Sequence, residues 1–296
     1  MKGTTGIVVG VLLALVIILG LYKYENDRKN SSTLYIGITD ATADISGVTD
    51  IDMSINKVEV HSVESGWVTA SSNSKLYSLL ALKASGETKL YTKAKVPVDS
   101  YDKVRVTLGD TVVRTKASGD VKAVVPSAYI VIDSELNTKS KGSAYIGLDF
   151  LADKSLHITS DGDYVFAPVV KADYGSKATV TVTDGVVVVG EGSTDGTTSV
   201  GMDLSGKSRA NFELITGKSL MIESSTDTEV KFILGGELYT SNKSEPVETS
   251  NESKVDIKIP NSIEVGGDLG PKAEIDVQSP AVNTDTDVSG GIKLGQ

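Results

Sequence analysis

The sequence predicts an all-β protein: an antiparallel β-sandwich, immunoglobulin-like or transthyretin-like, preceded by one N-terminal transmembrane helix and followed by a β-rich C-terminal extension. Three observations predict this. Apolar and polar residues alternate through most of the chain, as they do in strands with one buried face. Turn-forming pairs such as Asp184-Gly185 interrupt the alternation at short intervals. The exception is one long apolar run near the N-terminus, which has the length of a membrane span.

The apolar run predicts a retained membrane anchor within residues 1–23. Every residue from Ile7 to Tyr22 is apolar, Gly or Tyr, and the segment from Thr4 to Tyr22 would extend roughly 28 Å as a helix. Large residues follow where a signal peptidase requires small ones, so we expect residues 4–23 to stay in the lipid bilayer. Two alternatives remain. The segment is cleaved after export, or the chain is cut near the Lys-Gly pair at positions 2–3, which resembles the processing site of archaeal type IV pilin-like proteins.

Composition indicates that the chain beyond the polar spacer, residues 24–32, lies outside the cell. It is rich in Ser, Thr and Gly, and the protein carries a formal net charge of −10 and no cysteine. The negative charge, with no basic stripe, excludes nucleic acid as a partner. Eukaryotic secreted domains often depend on disulfides, so a bacterial or archaeal origin is favoured. Three N-x-S/T sequons give candidate glycosylation sites at Asn30, Asn242 and Asn251.

A β-sandwich domain is predicted over residues 33–174. Alternation is clearest in "TLYIGITDA" (33–41), "IDMSI" (51–55) and "SAYIGLDF" (143–150). Only "SKLYSLLALKASG" (74–86) has helical spacing, and we expect one or two helical turns there. The inward-facing positions give the predicted core: Leu34, Ile36, Ile38, Val104, Val106, Ile130, Ile146, Leu148 and Phe150.

Three further regions follow the predicted sandwich. Residues 175–240 are expected to form a second β-rich region of hairpins. Residues 241–254 have no large apolar residue except Val247 and are expected to be a polar linker or loop. Residues 255–296 contain short apolar alternations cut by prolines, as in short strands or a partly ordered tail. The hairpin turns are predicted at Asp184-Gly185, Thr216-Gly217 and Gly235-Gly236.

Several weak motifs occur together in the order found in one known family. They are "LYIGITDA" (34–41), "INKVEVHS" with "GW" (55–62, 66–67), "LYSLLAL" (76–82), "VPVDSYDKVRV" (96–106), "VPSAYIVI" (125–132), "LDFLADKSL" (148–156) and "YVFAPVVK" (164–171). Together they resemble domain of unknown function 4382, over about residues 33–174. The resemblance implies an exported β-domain of bacteria or archaea and no catalytic activity.

Four carboxylates in "TDATADISGVTDID" (39–52) form the candidate metal site: Asp40, Asp44, Asp50 and Asp52. Calcium takes about six to eight oxygen ligands, and a loop of this kind supplies several. The chain has no cysteine and only two histidines, so a bound divalent ion would depend on oxygen ligands, which favours calcium. The alternative is a solvated turn without metal.

No other cofactor is expected, and the chain is not predicted to be an enzyme. The absence of cysteine excludes thiolate nucleophiles. A Ser–His–Asp triad would have to use His61 or His157, and neither adjoins a G-x-S-x-G turn. Trp67, the only tryptophan, is either a core residue between the sheets or a platform for a ligand.

These inferences favour a membrane-anchored extracellular protein with a structural or binding role at a prokaryotic cell surface. Its expected partners, besides the bilayer at residues 4–23, are a cell-surface protein, a polysaccharide or a second copy of the chain. One alternative is a subunit of an extracellular filament assembled by strand exchange. Another is a carbohydrate-active or other hydrolase, which would need a concave site with perturbed carboxylates.

Overall fold

The computed structural model describes residues 30–40, 45–216 and 219–243. Within these residues the chain forms nineteen strands and two short helices. The strands are β1 (Ser31–Thr39), β2 (Val48–Ser62), β3 (Gly66–Ser71), β4 (Lys75–Ser78), β5 (Lys89–Pro97), β6 (Ser100–Thr115), β7 (Gly119–Lys122), β8 (Tyr129–Asn137), β9 (Ser143–Phe150), β10 (Leu156–Ile158), β11 (Tyr164–Phe166), β12 (Val169–Gly175), β13 (Val180–Thr183), β14 (Val186–Val189), β15 (Gly196–Met202), β16 (Ser208–Ala210), β17 (Leu220–Ser225), β18 (Glu229–Leu234) and β19 (Glu237–Asn242). The helices are α1 (Leu79–Ser85) and α2 (Ala152–Ser155).

Two sheets share one hydrophobic core. The larger has eight strands in the order β13-β14-β5-β1-β9-β12-β15-β16. The smaller has six, with β3-β2-β6-β7 in order, β4 paired to β2 and β8 paired to β6. Ile36 and Phe150 of the larger sheet and Val60 and Val106 of the smaller belong to the same buried cluster. The described chain is therefore all-β, and its packing is consistent with a β-sandwich.

The predicted core is confirmed. All nine residues chosen from the alternation have no exposed surface, and all lie in the cluster shared by the two sheets. Full burial of a side chain of this size contributes about 1.5–3 kcal/mol to folding. The predicted helical turns are also confirmed, since α1 is seven residues long, with Ser78 as its N-cap and Gly86 in the left-handed conformation at its end.

The sheet pairing differs from a purely antiparallel sandwich. β1 pairs antiparallel with β5 on one side but parallel with β9 on the other. A parallel pair needs a long crossover, and here residues 40–142 form it, with every strand of the six-stranded sheet inside. The antiparallel prediction is wrong for this pair, because local alternation does not reveal which distant strand becomes the neighbour.

β1 and β9 are also buried on both faces, where the alternation predicted one. On the outer face of the larger sheet, Tyr35 and Tyr145 form a second buried cluster with Ala178 and Val187. Tyr145 lies across Gly147, where an added Cβ would be 2.5 Å from the tyrosine oxygen. The glycine therefore makes room for the aromatic ring in the middle of the sheet.

Two of the three predicted hairpins are confirmed. β13 and β14 turn at Asp184-Gly185, whose φ angles of 52° and 77° suit a tight type I′ turn. β18 and β19 turn at Gly235-Gly236. The hairpin predicted at Thr216-Gly217 is wrong, because residues 211–216 form no strand and β17 pairs with β18. Leu214 instead packs into a separate apolar cluster with the three-stranded sheet β17-β18-β19.

The boundary predicted at residue 174 falls inside β12. Strands β13 to β16, which follow it, complete the eight-stranded sheet, and only β17 to β19 form a sheet of their own. No helix in the described ranges is long and apolar enough to cross a membrane. The predicted anchor at 4–23, most of the linker at 241–254 and the extension at 255–296 lie outside the described residues.

Candidate binding surface

The outer face of the six-stranded sheet carries a cluster of charged and aromatic side chains. Val58 and Val60 of β2 point into the core, so the intervening Glu59 points outward. The register places Glu59 opposite Arg105 of β6, and His61 opposite Trp67 of β3. We call this surface the Trp67 face. Its members are Lys57, Glu59, His61, Trp67, Arg105 and Tyr129.

A buried carboxylate fixes the charges of the Trp67 face. Arg105 donates from Nε to Glu59 Oε2 at 2.8 Å, and its terminal nitrogen lies 2.7 Å from the same oxygen. Lys57 Nζ lies 2.6 Å from Glu59 Oε1. Burial alone would raise the pKa of Glu59, but hydrogen bonds from Lys57 and Arg105 outweigh it and the pKa is lowered. Glu59 is therefore ionised at neutral pH and holds both cations in place.

Two aromatic rings lie close to the Arg105 guanidinium. Its carbon is 4.1 Å from the Trp67 ring centroid and 5.7 Å from that of Tyr129. These are cation–π distances. The His61 ring meets Trp67 edge-on, with centroids 5.0 Å apart. Trp67 is half-buried on this open face. Of the two sequence interpretations, the core position between the sheets is wrong.

His61 and Asp102 are arranged like the histidine and the carboxylate of a catalytic triad. The Nδ1 atom of His61 lies 2.6 Å from Asp102 Oδ1, as in a pair where the carboxylate orients the ring. The adjacent Ser62 hydroxyl donates to Asp99 instead. Among the described residues, no serine hydroxyl is given a hydrogen bond to His61, and Asp102 orients the imidazole.

His157 lies apart from this face. It sits in β10, buried, with Nδ1 3.3 Å from Thr216 Oγ1 and Nε2 without a hydrogen-bond partner. Burial lowers the pKa of His157 to about 4, and the nearby Glu213 opposes this only in part. At neutral pH the buried imidazole is therefore uncharged.

Two of the four predicted calcium ligands meet on one arginine. Asp50 and Asp52 project from β2 to Arg114, which binds the Asp52 carboxylate and lies 3.4 Å from Asp50. Burial raises the pKa of Asp52, and Arg114 opposes that rise. Asp40 is buried directly after β1, and Asp44 lies outside the described residues.

Arg114 occupies the position that a cation would take between Asp50 and Asp52. Across the described part of the chain, no three His, Asp or Glu side chains are grouped to hold a metal. The calcium site stays a prediction. The same is true of glycosylation: Asn30 and Asn242 are exposed, and Asn251 lies outside the described residues.

A cleft of about 470 Å³ lies between β6 and the turn that joins β17 to β18. Apolar residues such as Leu108 and Val124 line it. On its rim, Lys122 pairs with Asp110 at 2.7 Å, and Lys243 donates to the Thr226 carbonyl at 2.8 Å. Lys122, Asp110 and Lys243 are thus already engaged within the protein, and this leaves the Trp67 face as the stronger candidate.

Comparison with known proteins finds a family match for the segment that contains the Trp67 face. Residues 31–168 match the family model described as domain of unknown function (DUF4382). The chain carries a DUF4382 domain. No curated protein and no solved structure matches it. The family resemblance in the sequence motifs is confirmed, and the whole Trp67 face lies within the matched segment.

The matched segment ends just before β12, and strands outside it complete the eight-stranded sheet. Within the matched segment, sequence analysis singled out Trp67 and His61 but not Glu59, Arg105 or Tyr129. Alternation does predict that all three point outward. Their alignment depends on a register that shifts four times along the β2–β6 pair, and no local pattern encodes those shifts.

Proposed function

We propose that this DUF4382 protein is a non-catalytic binding protein of the prokaryotic cell surface. Residues 4–23 anchor it in the membrane, its body lies outside the cell, and the Trp67 face binds polysaccharide. The proposal for the anchor rests on the uninterrupted apolar run from Ile7 to Tyr22. The proposal for the ligand rests on the aromatic side chains of the open sheet face.

The observation that carries the binding role is the stack of Arg105 against Trp67 and Tyr129. Tryptophan, tyrosine and arginine are the side chains that most often dominate binding energy. A half-buried indole offers an apolar ring face with a polar edge, which suits the alternating C–H and hydroxyl surfaces of a sugar. The ion pairs to Glu59 hold the stack in one geometry, so little side-chain entropy is lost on binding.

The same contacts argue against catalysis. The carboxylate at the centre of the face is saturated by two cations, and its pKa is lowered. A general acid would need a raised pKa near neutral pH. His61 is oriented by Asp102, but the neighbouring Ser62 hydroxyl is engaged with Asp99. A fixed contact surface accounts for these pairings better than a reaction centre does.

Binding is tested through the intrinsic fluorescence of Trp67, the only tryptophan. The full chain in detergent is titrated with soluble neutral and acidic polysaccharides. We expect a saturable change in emission with at least one of them. In affinity electrophoresis, Trp67→Ala should weaken binding about 30-fold, the effect of losing a side chain worth about 2 kcal/mol. Leu238→Ala, at an exposed apolar residue of another sheet, is the control and should bind normally.

Unchanged emission with every polysaccharide, or equal binding by Trp67→Ala and the parent chain, would refute the assignment of the face.

The location of the protein is tested separately. Protease added to intact cells should degrade the body, and the undigested protein should remain with membranes after alkaline extraction. Protection from protease in intact cells would refute the extracellular location.

A further inference from the structure

Glu59 supplies the counter-charge at the centre of the Trp67 face. Its side chain is 6% exposed, and its two oxygens contact the Lys57 ammonium at 2.6 Å and the Arg105 guanidinium at 2.7 Å. The Arg105 side chain is 13% exposed, and both of its contacting nitrogens point inward to this carboxylate. The two cations beside the aromatic rings therefore already share an internal partner.

The charges around this centre are balanced as well. Asp102 lies 2.6 Å from His61 Nδ1 and is the more exposed of the two side chains. Lys103 and Asp133 lie on the same side of β6 and β8 as the stack, and the register places them opposite each other. An acidic ligand therefore meets as many carboxylates as cations among the described residues of this face. The cations are Lys57, Lys103 and Arg105, and the carboxylates are Glu59, Asp102 and Asp133.

The groups that remain open to a ligand are aromatic rings and a neutral hydroxyl. Trp67 and Tyr129 are half-buried, so part of each ring is accessible. Thr69 follows Trp67 on the same side of β3 and is exposed. Sugar C–H groups pack on aromatic rings, and sugar hydroxyls exchange hydrogen bonds with threonine. These contacts need no charged group on the ligand.

We propose that the Trp67 face selects neutral polysaccharides and that Glu59 is the residue that determines this preference. The inference rests on the proposed polysaccharide-binding function and names the class of ligand. With Glu59 ionised, the carboxylates of an acidic polysaccharide gain no net attraction at the stack, yet they lose hydration as they approach it. A neutral chain avoids that cost.

Glu59→Gln tests the role of Glu59, because it removes one negative charge while the side chain keeps its size. Lys57 and Arg105 then lack their shared counter-charge, so the stack attracts anions. We expect the ratio of affinities, acidic over neutral polysaccharide, to rise about fivefold, the effect of one partly exposed ion pair. Lys57→Gln removes a positive charge from the same site and should not raise the ratio. Glu223→Gln removes a negative charge from an exposed position on β17, in another sheet, and should leave the ratio unchanged.

The polymers are used in matched pairs that share a backbone: dextran with carboxymethyl-dextran, and hydroxyethylcellulose with carboxymethylcellulose. Affinities of the full chain in detergent are read from the emission of Trp67, the only tryptophan. We expect the parent chain to bind the neutral member of at least one pair about fivefold more tightly than its acidic partner. Binding of the neutral member should change little with salt, because no ion pair to the ligand is screened.

Urea unfolding shows whether Glu59→Gln is folded under the assay conditions. The preference of the parent chain tests the selectivity without any variant, so a poorly folded Glu59→Gln does not prevent the test.

The outcomes distinguish the two proposals. Failure of the parent chain to bind any of the polymers would refute polysaccharide binding by the Trp67 face, and the selectivity with it. Equal or tighter binding of the acidic members by the parent chain would overturn the selectivity alone, since polysaccharide binding would stand. Equal affinity ratios in the parent chain and in folded Glu59→Gln would overturn the role of Glu59.

Discussion

Lowering the pH should destabilise this protein through one buried imidazole, His157. The side chain is 8% exposed, and its Nε2 has no hydrogen-bond partner. A proton on that nitrogen would add a charge at a buried position where Nε2 meets no acceptor. Burial therefore lowers the pKa of His157 to about 4, against the attraction of Glu213.

The size and sign of the effect follow from proton linkage. The unfolded chain, with a histidine pKa of about 6.5, takes up the proton before the folded chain does. Stability is therefore complete above pH 6.5 and is lost as the pH falls from 6.5 towards 4. A difference of about 2.5 pKa units at about 1.36 kcal/mol each gives a loss of about 3 kcal/mol.

Urea unfolding measures the contribution of His157 to the loss of stability in acid. The free energy of unfolding is measured at neutral pH and near pH 4.5 for the parent chain and for His157→Gln. Titrating carboxylates affect both proteins alike, so the difference in pH dependence isolates the imidazole. We expect the variant to lose about 2–3 kcal/mol less than the parent on acidification. His61→Gln is the control, since His61 is partly exposed and paired with Asp102. Equal acid destabilisation of the parent and His157→Gln would refute the reasoning.

Three further predictions concern other parts of the molecule. Phe150→Ala should lower the free energy of unfolding by about 3–5 kcal/mol in urea titrations, because the ring is fully buried between the sheets; a loss below about 1 kcal/mol would contradict this. Glu59→Gln should cost about 2 kcal/mol, because Arg105 and Lys57 lose their shared counter-charge, whereas exposed Glu64→Gln should cost almost nothing. If Asp40, Asp44, Asp50 and Asp52 hold calcium, a hundredfold excess over the dissociation constant should stabilise the fold by about 2.7 kcal/mol and raise the melting temperature by several degrees; identical melts with calcium and with chelator would end that prediction.

Local patterns predicted the buried faces well. The nine core positions follow from alternation alone, because a half-buried strand repeats every two residues whatever its partner. The turn at Asp184-Gly185 was equally predictable, because few residue pairs accept two positive φ angles. Both properties depend on residues adjacent in the chain.

Properties that depend on distant pairing were not predictable in this way. The parallel contact between β1 and β9 joins segments separated by residues 40–142. The candidate surface required Trp67, Arg105 and Tyr129, from three different strands, to align across a register with several irregularities. An outward-pointing arginine has the same sequence signature whether it meets an indole, a carboxylate or solvent.

The place of β1 in the middle of the eight-stranded sheet has a consequence for how the chain reaches its fold. Among the described strands β1 is synthesised first, yet its parallel partner β9 ends only at Phe150. Until then one edge of β1, with its unpaired N–H and C=O groups, is available to other chains. Contacts between residues so far apart slow folding and prolong the exposure of such intermediates. Nascent chains truncated before residue 143 should therefore be more prone to aggregate than chains that include β9, because the sheet acquires its central partner only when that strand arrives.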